Sequence, residues 1–271
     1  MRPIARLALP VLAVGLLAGC GQGSLGASGG KPVDAVAVVS SAQDASQKAG
    51  SAKVSMDTQV KLGKDSFTMK GSGAFDYKKN VGQMKMTMPN PAGGGEVSIE
   101  TVITNTAMYL KFPGFNSATP WTKIDLTKQF GGTLSSLTSN SDPTSALEML
   151  RGAKSVTTVG EEKVRGTQTT HYKATIDLAK ATAKLPAGAQ DKLKAYEQRL
   201  GANLTNLPVD VWIDGQGRPA RFQMTMNIPA SAATENTPSS FTMTIETYDY
   251  GAPVHVTVPP ASQVTERSFG G

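Results

Sequence analysis

The strongest constraint on how this chain folds is an alternation of apolar and polar residues that recurs with a period of two. Val54, Met56, Thr58 and Val60 alternate with Lys53, Ser55, Asp57, Gln59 and Lys61. Successive side chains of a strand point to opposite faces, so this spacing buries one side of a strand and leaves the other in water. The same spacing returns in Phe67, Met69, Gly71, Gly73 and Phe75, then in Met84, Met86 and Met88, then in Val97, Ile99, Thr101 and Ile103. Met108, Leu110 and Phe112 continue it, followed by a strand around Ile124. Residues 155–164 and 167–177 read as two strands around an Arg165-Gly166 turn. Val209, Val211 and Ile213 lead into a turn at Asp214-Gly-Gln-Gly217, and Phe222, Met224, Met226 and Ile228 return from it as a hairpin. Phe241, Met243, Ile245 and Thr247 form the next strand, and Val254, Val256 and Val258 add a candidate edge strand.

Helical spacing is confined to three places. Val33, Val36, Ala37 and Val39 form a partial stripe that Gly50 ends. Asp142-Pro143 supplies an N-cap and a first-turn proline ahead of Ala146, Leu147 and Leu150. Residues 178–200 are rich in Ala, Lys and Leu, with a break at Pro186-Ala-Gly188. About ten antiparallel strands with a few inserted helices argue for an α+β fold, a single curved sheet with helices laid on one face. The composition agrees, since 6% aromatic and 18% charged residues beside 28 glycines and 11 methionines suit an exported β-rich domain.

Cys20 is the only cysteine, so the domain after it has no disulfide to lean on. It closes the run Leu17-Ala18-Gly19-Cys20 behind Arg2, Arg6 and an apolar stretch at 7–17, which is short for a permanent membrane span. This arrangement resembles a bacterial lipoprotein signal. The resemblance implies removal of residues 1–19 and a diacylglyceryl group on the Cys20 thiol. Residues 20–32, a glycine and serine run, then read as a flexible tether, and residues 33–271 as one domain.

The formal charge is +6, part of it from the two signal arginines. Lys53, Lys61, Lys64, Lys70, Lys78, Lys79 and Lys85 give the early strands a basic side. Such a side suits an anionic membrane surface, and equally the solvated outer side of half-buried strands. No arginine-rich aromatic module for nucleic acid is present. Catalytic signals are poor. Gly26-Ala-Ser28-Gly-Gly30 matches a nucleophile elbow but lies in the tether, without the strand and helix that the elbow requires. His171 and His255 have no local metal-ligand or triad partner, and each reads as a surface or satisfied structural histidine. The Asp214 turn has too few carboxylates for calcium, and Gly93-Gly94-Gly95 and Gly131-Gly132 lack the continuation of a phosphate loop. We therefore expect no catalytic residue, no metal, no cofactor and no enzymatic activity. A buried His171 clustered with carboxylates would reopen that question.

One constellation does stand out. Met56, Met69, Met84, Met86, Met88, Met108, Met224, Met226 and Met243 all occupy apolar phases of strands. Fixed strand cores favour Val, Ile and Leu, whose shapes specify packing, whereas methionine is flexible and suits a variable apolar guest. An ordinary core with methionine as filler is the competing reading.

The order of elements resembles the actinobacterial LppX/LprAFG lipoproteins, with the LolA/LolB lipoprotein carriers and the RseB sensor domain as more distant fold relatives. The likeness rests on the Leu-Ala-Gly-Cys20 lipobox and a helix before the first long strand. It extends to the Asp142-Pro143 helix, Ser155-Val-Thr-Thr-Val-Gly160, Gly166-Thr-Gln-Thr-Thr-His171-Tyr172, and the hairpin at Val211-Trp-Ile-Asp214-Gly-Gln-Gly-Arg218. It implies a strongly curved antiparallel sheet, a half-open β-barrel with helices on its concave face and an apolar cavity between them. The function it implies is lipid or glycolipid carriage in the cell envelope, by a monomer anchored through Cys20 at the extracytoplasmic face of the membrane. Phe67, Met69, Phe75, Met84, Met86, Val211, Phe222, Met224, Phe241 and Met243 are the expected cavity wall. The alternative is a sensor or scaffold module that binds an envelope protein through the same face.

Overall fold

Asp34 opens the first element by accepting hydrogen bonds from the backbone N–H groups of Val36 and Ala37 at 3.0 and 3.3 Å. Helix α1 (Ala35–Ala49) follows, and Gly50 at φ 83° closes it with the left-handed cap that glycine adopts freely. The computed structural model describes residues 34–90, 93–113, 119–125, 153–177, 206–230 and 236–266. The chain divides into two units, Met1–Val33, outside the described residues, and Asp34–Gly271, which holds all of them. The expected helices around residues 142–150 and 178–200 also fall outside the described residues.

Twelve strands follow α1 among the described residues. They are β1 (Ser51–Leu62), β2 (Asp65–Asp76), β3 (Val81–Pro89), β4 (Glu96–Ile103), β5 (Ala107–Lys111), β6 (Trp121–Asp125), β7 (Ala153–Val164), β8 (Thr167–Ile176), β9 (Leu207–Asp214), β10 (Pro219–Ile228), β11 (Ser239–Tyr248) and β12 (Val264–Glu266). All join one sheet in the order β12-β6-β5-β4-β3-β2-β1-β11-β10-β9-β8-β7. Two meanders, β1 to β6 and β7 to β11, are fused where β1 pairs β11, from Lys53 opposite Tyr248 to Leu62 opposite Ser239.

Three sequence expectations need correction. The sheet is mixed, not purely antiparallel, because β12 runs parallel to β6 through Val264 opposite Trp121. The last strand is not Val254 to Val258, which lies between Pro253 and Pro259-Pro260 and forms no ladder; the strand forms beyond those prolines, which cannot donate a ladder hydrogen bond. On α1 the buried residues are Val39, Ala42 and Ser46, whereas Val36 and Ala37 are exposed. The helix turns its small residues to the sheet, and the Val36-Ala37 side of the stripe faces water.

Val39 and Ala42 pack with Val54, Tyr172, Ala174, Ile176, Leu207, Val209, Val211, Ile213, Phe222 and Ile245. Helix α1 therefore lies on the apolar face of the sheet, over β1 and the β7 to β11 meander. Two glycines let β2 and β3 close up. A Cβ on Gly73 would stand 2.1 Å from the Gln83 carbonyl oxygen, and one on Gly82 would stand 2.2 Å from the Phe75 ring.

The sheet is not flat. Arg165, in the turn between β7 and β8, donates to Glu246 of β11 at 2.6 Å and to Ser55 of β1 at 3.0 Å. In a flat sheet β8 and β1 would stand about 19 Å apart, at roughly 4.8 Å per strand, far beyond an arginine's reach. The tip of the β7–β8 hairpin bends over the polar face, and Val164 is buried there against Trp212 and Ala220.

Candidate functional site

Directly paired residues share a face of a sheet, as do residues two apart on one strand. By that rule the register traces one continuous apolar face. Met86 stands opposite Gly71, Gly71 opposite Met56, Met56 opposite Ile245, Ile245 opposite Phe222, and Phe222 opposite Val211. Phe67 joins through Val60 and Phe241, Met69 through Thr58 and Met243, Met84 through Gly73 and Val54, and Phe75 through Ala52. All ten residues expected to line a cavity thus lie on one face, with all nine strand methionines.

Their burial divides them. Phe75, Val211 and Phe222 are buried in packed clusters, so they belong to the core as it stands. Met69, Met84, Met86, Met224, Phe241 and Met243 are half-buried, and Phe67 is 37% exposed. None of the nine strand methionines is fully buried. Met56, Met84, Met224, Met226 and Met243 border the core under α1. The gap among Val54, Phe75, Met84 and Ile103 is about 10 Å³, too small for more than a single water, so this corner is tightly packed. The face is therefore a solid core at one part and a surface of half-covered, flexible thioethers elsewhere.

The opposite face carries the charge network. His171 on β8 is buried, with Nδ1 3.0 Å from Glu162 on β7 and Nε2 2.6 Å from Asp210 on β9. Its ring stacks on Trp212 at 4.2 Å between centroids and 12° between planes. The indole N–H of Trp212 donates to Glu162 at 2.9 Å, and the Arg221 guanidinium lies over the indole at 5.2 Å. Arg221 in turn donates to Glu246, which also accepts from Arg165, and Arg165 rests on the Tyr248 ring. A chain of contacts thus crosses from β7 to β1.

The sequence reading gave His171 no local partner because its partners are brought in by strand pairing, nine and thirty-nine residues away. This cluster is the arrangement that would reopen catalysis. Both imidazole nitrogens face carboxylate oxygens and one ring face is covered by indole. The cluster ties three neighbouring strands together. His255 is exposed. Asp214 caps its turn by accepting from the backbone N–H groups of Gln216 and Arg218 at 2.8 and 2.9 Å, with the Arg218 side chain on its other oxygen. Two clefts of about 460 and 480 Å³ flank that turn, one against α1 at Asp44 and Lys48, the other against Tyr248 and Tyr250. Neither involves the ten expected residues. Cys20, Ser28 and Gly131-Gly132 lie outside the described residues.

Burial works against the charge on Glu246, but Arg221 and Arg165 outweigh it and hold this carboxyl below the ordinary value of 4.5. Glu162 is held low as well, first by the Trp212 N–H and then by His171. A carboxyl whose folded pKa is depressed stabilises the fold fully above the unfolded value and loses that contribution as pH falls through the folded value. Thermal stability should therefore fall as pH drops below about 4.5, and Glu246→Gln should flatten that acid limb. Melting curves between neutral pH and strong acid test this; an unchanged limb in the variant would remove Glu246 from the account.

Comparison with known proteins adds a relative from Streptomyces griseus, an uncharacterised 31.2 kDa protein of the rplA-rplJ intergenic region. It is 32% identical over 128 residues, 47% of this chain, and this chain spans about 39% of that relative's length. Among solved structures, the lipoprotein LppX of Mycobacterium tuberculosis is similar over 82% of this chain and 97% of its own, with 16% identity and a TM-score of 0.46. LprF of Mycobacterium bovis is similar over 83% of this chain and 96% of its own, with 18% identity and a TM-score of 0.45. LppX and LprF are members of the group that the residues resemble. The MucA/MucB complex of Pseudomonas aeruginosa is similar over 79% of this chain and 58% of its own, with 11% identity and a TM-score of 0.33. The model of the family of unknown function DUF6612 matches residues 34–262, which is nearly the whole unit from Asp34 onward, and the chain belongs to that family.

Proposed function

We propose that this protein is a lipoprotein, held by a lipidated Cys20 at the extracytoplasmic face of the membrane, that binds or carries a lipid or glycolipid on its methionine-bearing face without catalysing a reaction. The observation that carries this reading is the placement of all nine strand methionines on one face, none of them fully buried. Unbranched thioethers adapt to acyl chains of varied shape at little packing cost. Each apolar area they cover contributes about 25 cal/mol per Å². In this reading the guest lies against the half-buried methionines of the apolar face, beside α1.

The test is a comparison of native and denatured masses of residues 31–271 produced in an actinobacterial host, followed by lipid extraction. We expect excess native mass of lipid size that disappears on denaturation. A bare native mass, persisting after incubation with the host's lipid extract, would overturn the carrier reading. The tight packing around Phe75 favours, in that event, a module that binds a protein partner through this face.

A further inference from the structure

The β1–β2 hairpin reaches beyond its neighbour on one side. The β2 ladder with β3 runs from Lys70 opposite Thr87 to Asp76 opposite Val81, so residues 65–69 of β2 make no pair with β3. On the other side β1 stays paired with β11 out to Leu62 opposite Ser239, and the Gly63 N–H donates to the Pro238 carbonyl at 3.3 Å. Gly63 at φ 60° begins a two-residue turn with Lys64, which needs a left-handed first position. The tip is thus a defined structure that extends past β3 while β11 flanks its other side.

Its chemistry is unusual for a hairpin turn, where polar residues are the norm. Leu62 is 50% exposed, and Phe67 lies diagonally across from it on the same face. Among the described residues these are the two large apolar side chains left exposed on a single hairpin. Lys61 and Lys64 flank Leu62, both exposed and neither in an ion pair with a described residue. Across residues 60–70 three lysines stand against one carboxylate, Asp65. An apolar apex between free ammonium groups is complementary to one kind of surface, an acyl layer under anionic headgroups.

We propose that the tip of the β1–β2 hairpin is a membrane-contact surface, with Leu62 entering the boundary between headgroups and acyl chains of an anionic bilayer and Lys61 and Lys64 holding its phosphates. This contact is separate from lipidation at Cys20 and does not depend on the apolar face holding a cargo.

The unit from Asp34 contains the whole described core, so residues 31–271, which lack Cys20, isolate this contact from the anchor. The experiment is sedimentation with vesicles of phosphatidylcholine alone and of phosphatidylcholine with phosphatidylglycerol in equal parts. The wild-type domain should partition onto the mixed vesicles, less so at high salt. Each lysine lost is worth roughly fivefold, so Lys61→Glu with Lys64→Glu should lower partitioning by at least about 25-fold. Leu62→Asn, which removes the apolar side chain without changing the charge, should also lower it, at unchanged salt dependence. Lys78→Glu with Lys79→Glu makes the same charge change in the turn at the opposite end of β2 and should leave partitioning within about twofold.

Melting temperatures of all variants exclude unfolding as a cause. The proposal is overturned if the wild-type domain ignores anionic vesicles, if the tip variants bind as wild type does, or if the Lys78 and Lys79 pair weakens binding as much as the tip pair. Extracted lipid measured on the same samples separates the two readings. A domain that partitions through its tip but carries no lipid retains this contact and loses the cargo.

Discussion

Changing Met86 and Met224 together to Asp is expected to abolish lipid uptake and to leave the fold standing. Both side chains are half-buried, on β3 and β10 of the apolar face, so in the empty protein each carboxylate keeps much of its water. Covering it with an acyl chain removes that water and offers no partner, which costs several kcal/mol even after relaxation. A loss of about 4 kcal/mol corresponds to roughly a thousandfold in affinity. The stability cost is smaller, because both positions are partly solvated, Met86 outside the packed cluster and Met224 at its border. Met224→Leu conserves volume and apolarity and should keep its lipid, which separates loss of the surface from loss of shape. The measurement is the native mass excess and extracted lipid of each variant beside its melting curve. Lipid content in the double variant equal to wild type would mean that this face does not receive the cargo.

The second large effect concerns attachment. Cys20→Ser is expected to move the full-length protein from the membrane fraction to the soluble fraction of cells in which the signal segment is still cleaved. A thioether-linked diacylglyceryl group places two chains in the bilayer, and each buried methylene contributes about 0.8 kcal/mol, so two chains anchor stably where one holds only marginally. The hairpin tip by itself is a reversible contact and does not replace that anchor. Fractionation and intact mass of the mature protein read the result. Retention of the serine variant in the membrane after a salt wash would show that attachment does not run through Cys20.

These expectations draw on different levels of the molecule. The strands, their inward phase and most of their turns are legible locally, because pleating forces alternate side chains to opposite faces whatever the neighbouring strand is. Thus Met56, Met84 and Met224 are recognisable as one set before any pairing is known. Helix α1 is legible at its C-terminal end, through Gly50, but the Asp34 cap and the buried stripe of Val39, Ala42 and Ser46 come only from the structure. Alanine and serine carry little hydrophobic signal, and close approach to the sheet, not hydrophobicity, selects them.

The candidate site divides in the same way. That ten residues share a face follows from period two once each strand is identified. Which of them are core and which are surface does not, since Phe75, Val211 and Phe222 differ from Phe67 and Met86 only in what lies above them. His171 has no recognisable partner along the chain, yet the ladders of β7, β8 and β9 place Glu162 and Asp210 on its two nitrogens. Nor is the parallel strand β12 beside β6 legible, for backbone N–H and C=O groups are common to all residues and label no partner.

By itself, then, the sequence determined the kind of element from α1 to β11 and the apolar and polar side of each of those strands, both of them local properties of spacing and residue type. The tertiary structure alone decided the order of the strands, the joining of β1 to β11, the bend that brings Arg165 onto Glu246, and the extension of the β1–β2 tip past β3. Those depend on contacts between residues far apart in the chain, and their energies are set by shape and register, which no single segment encodes.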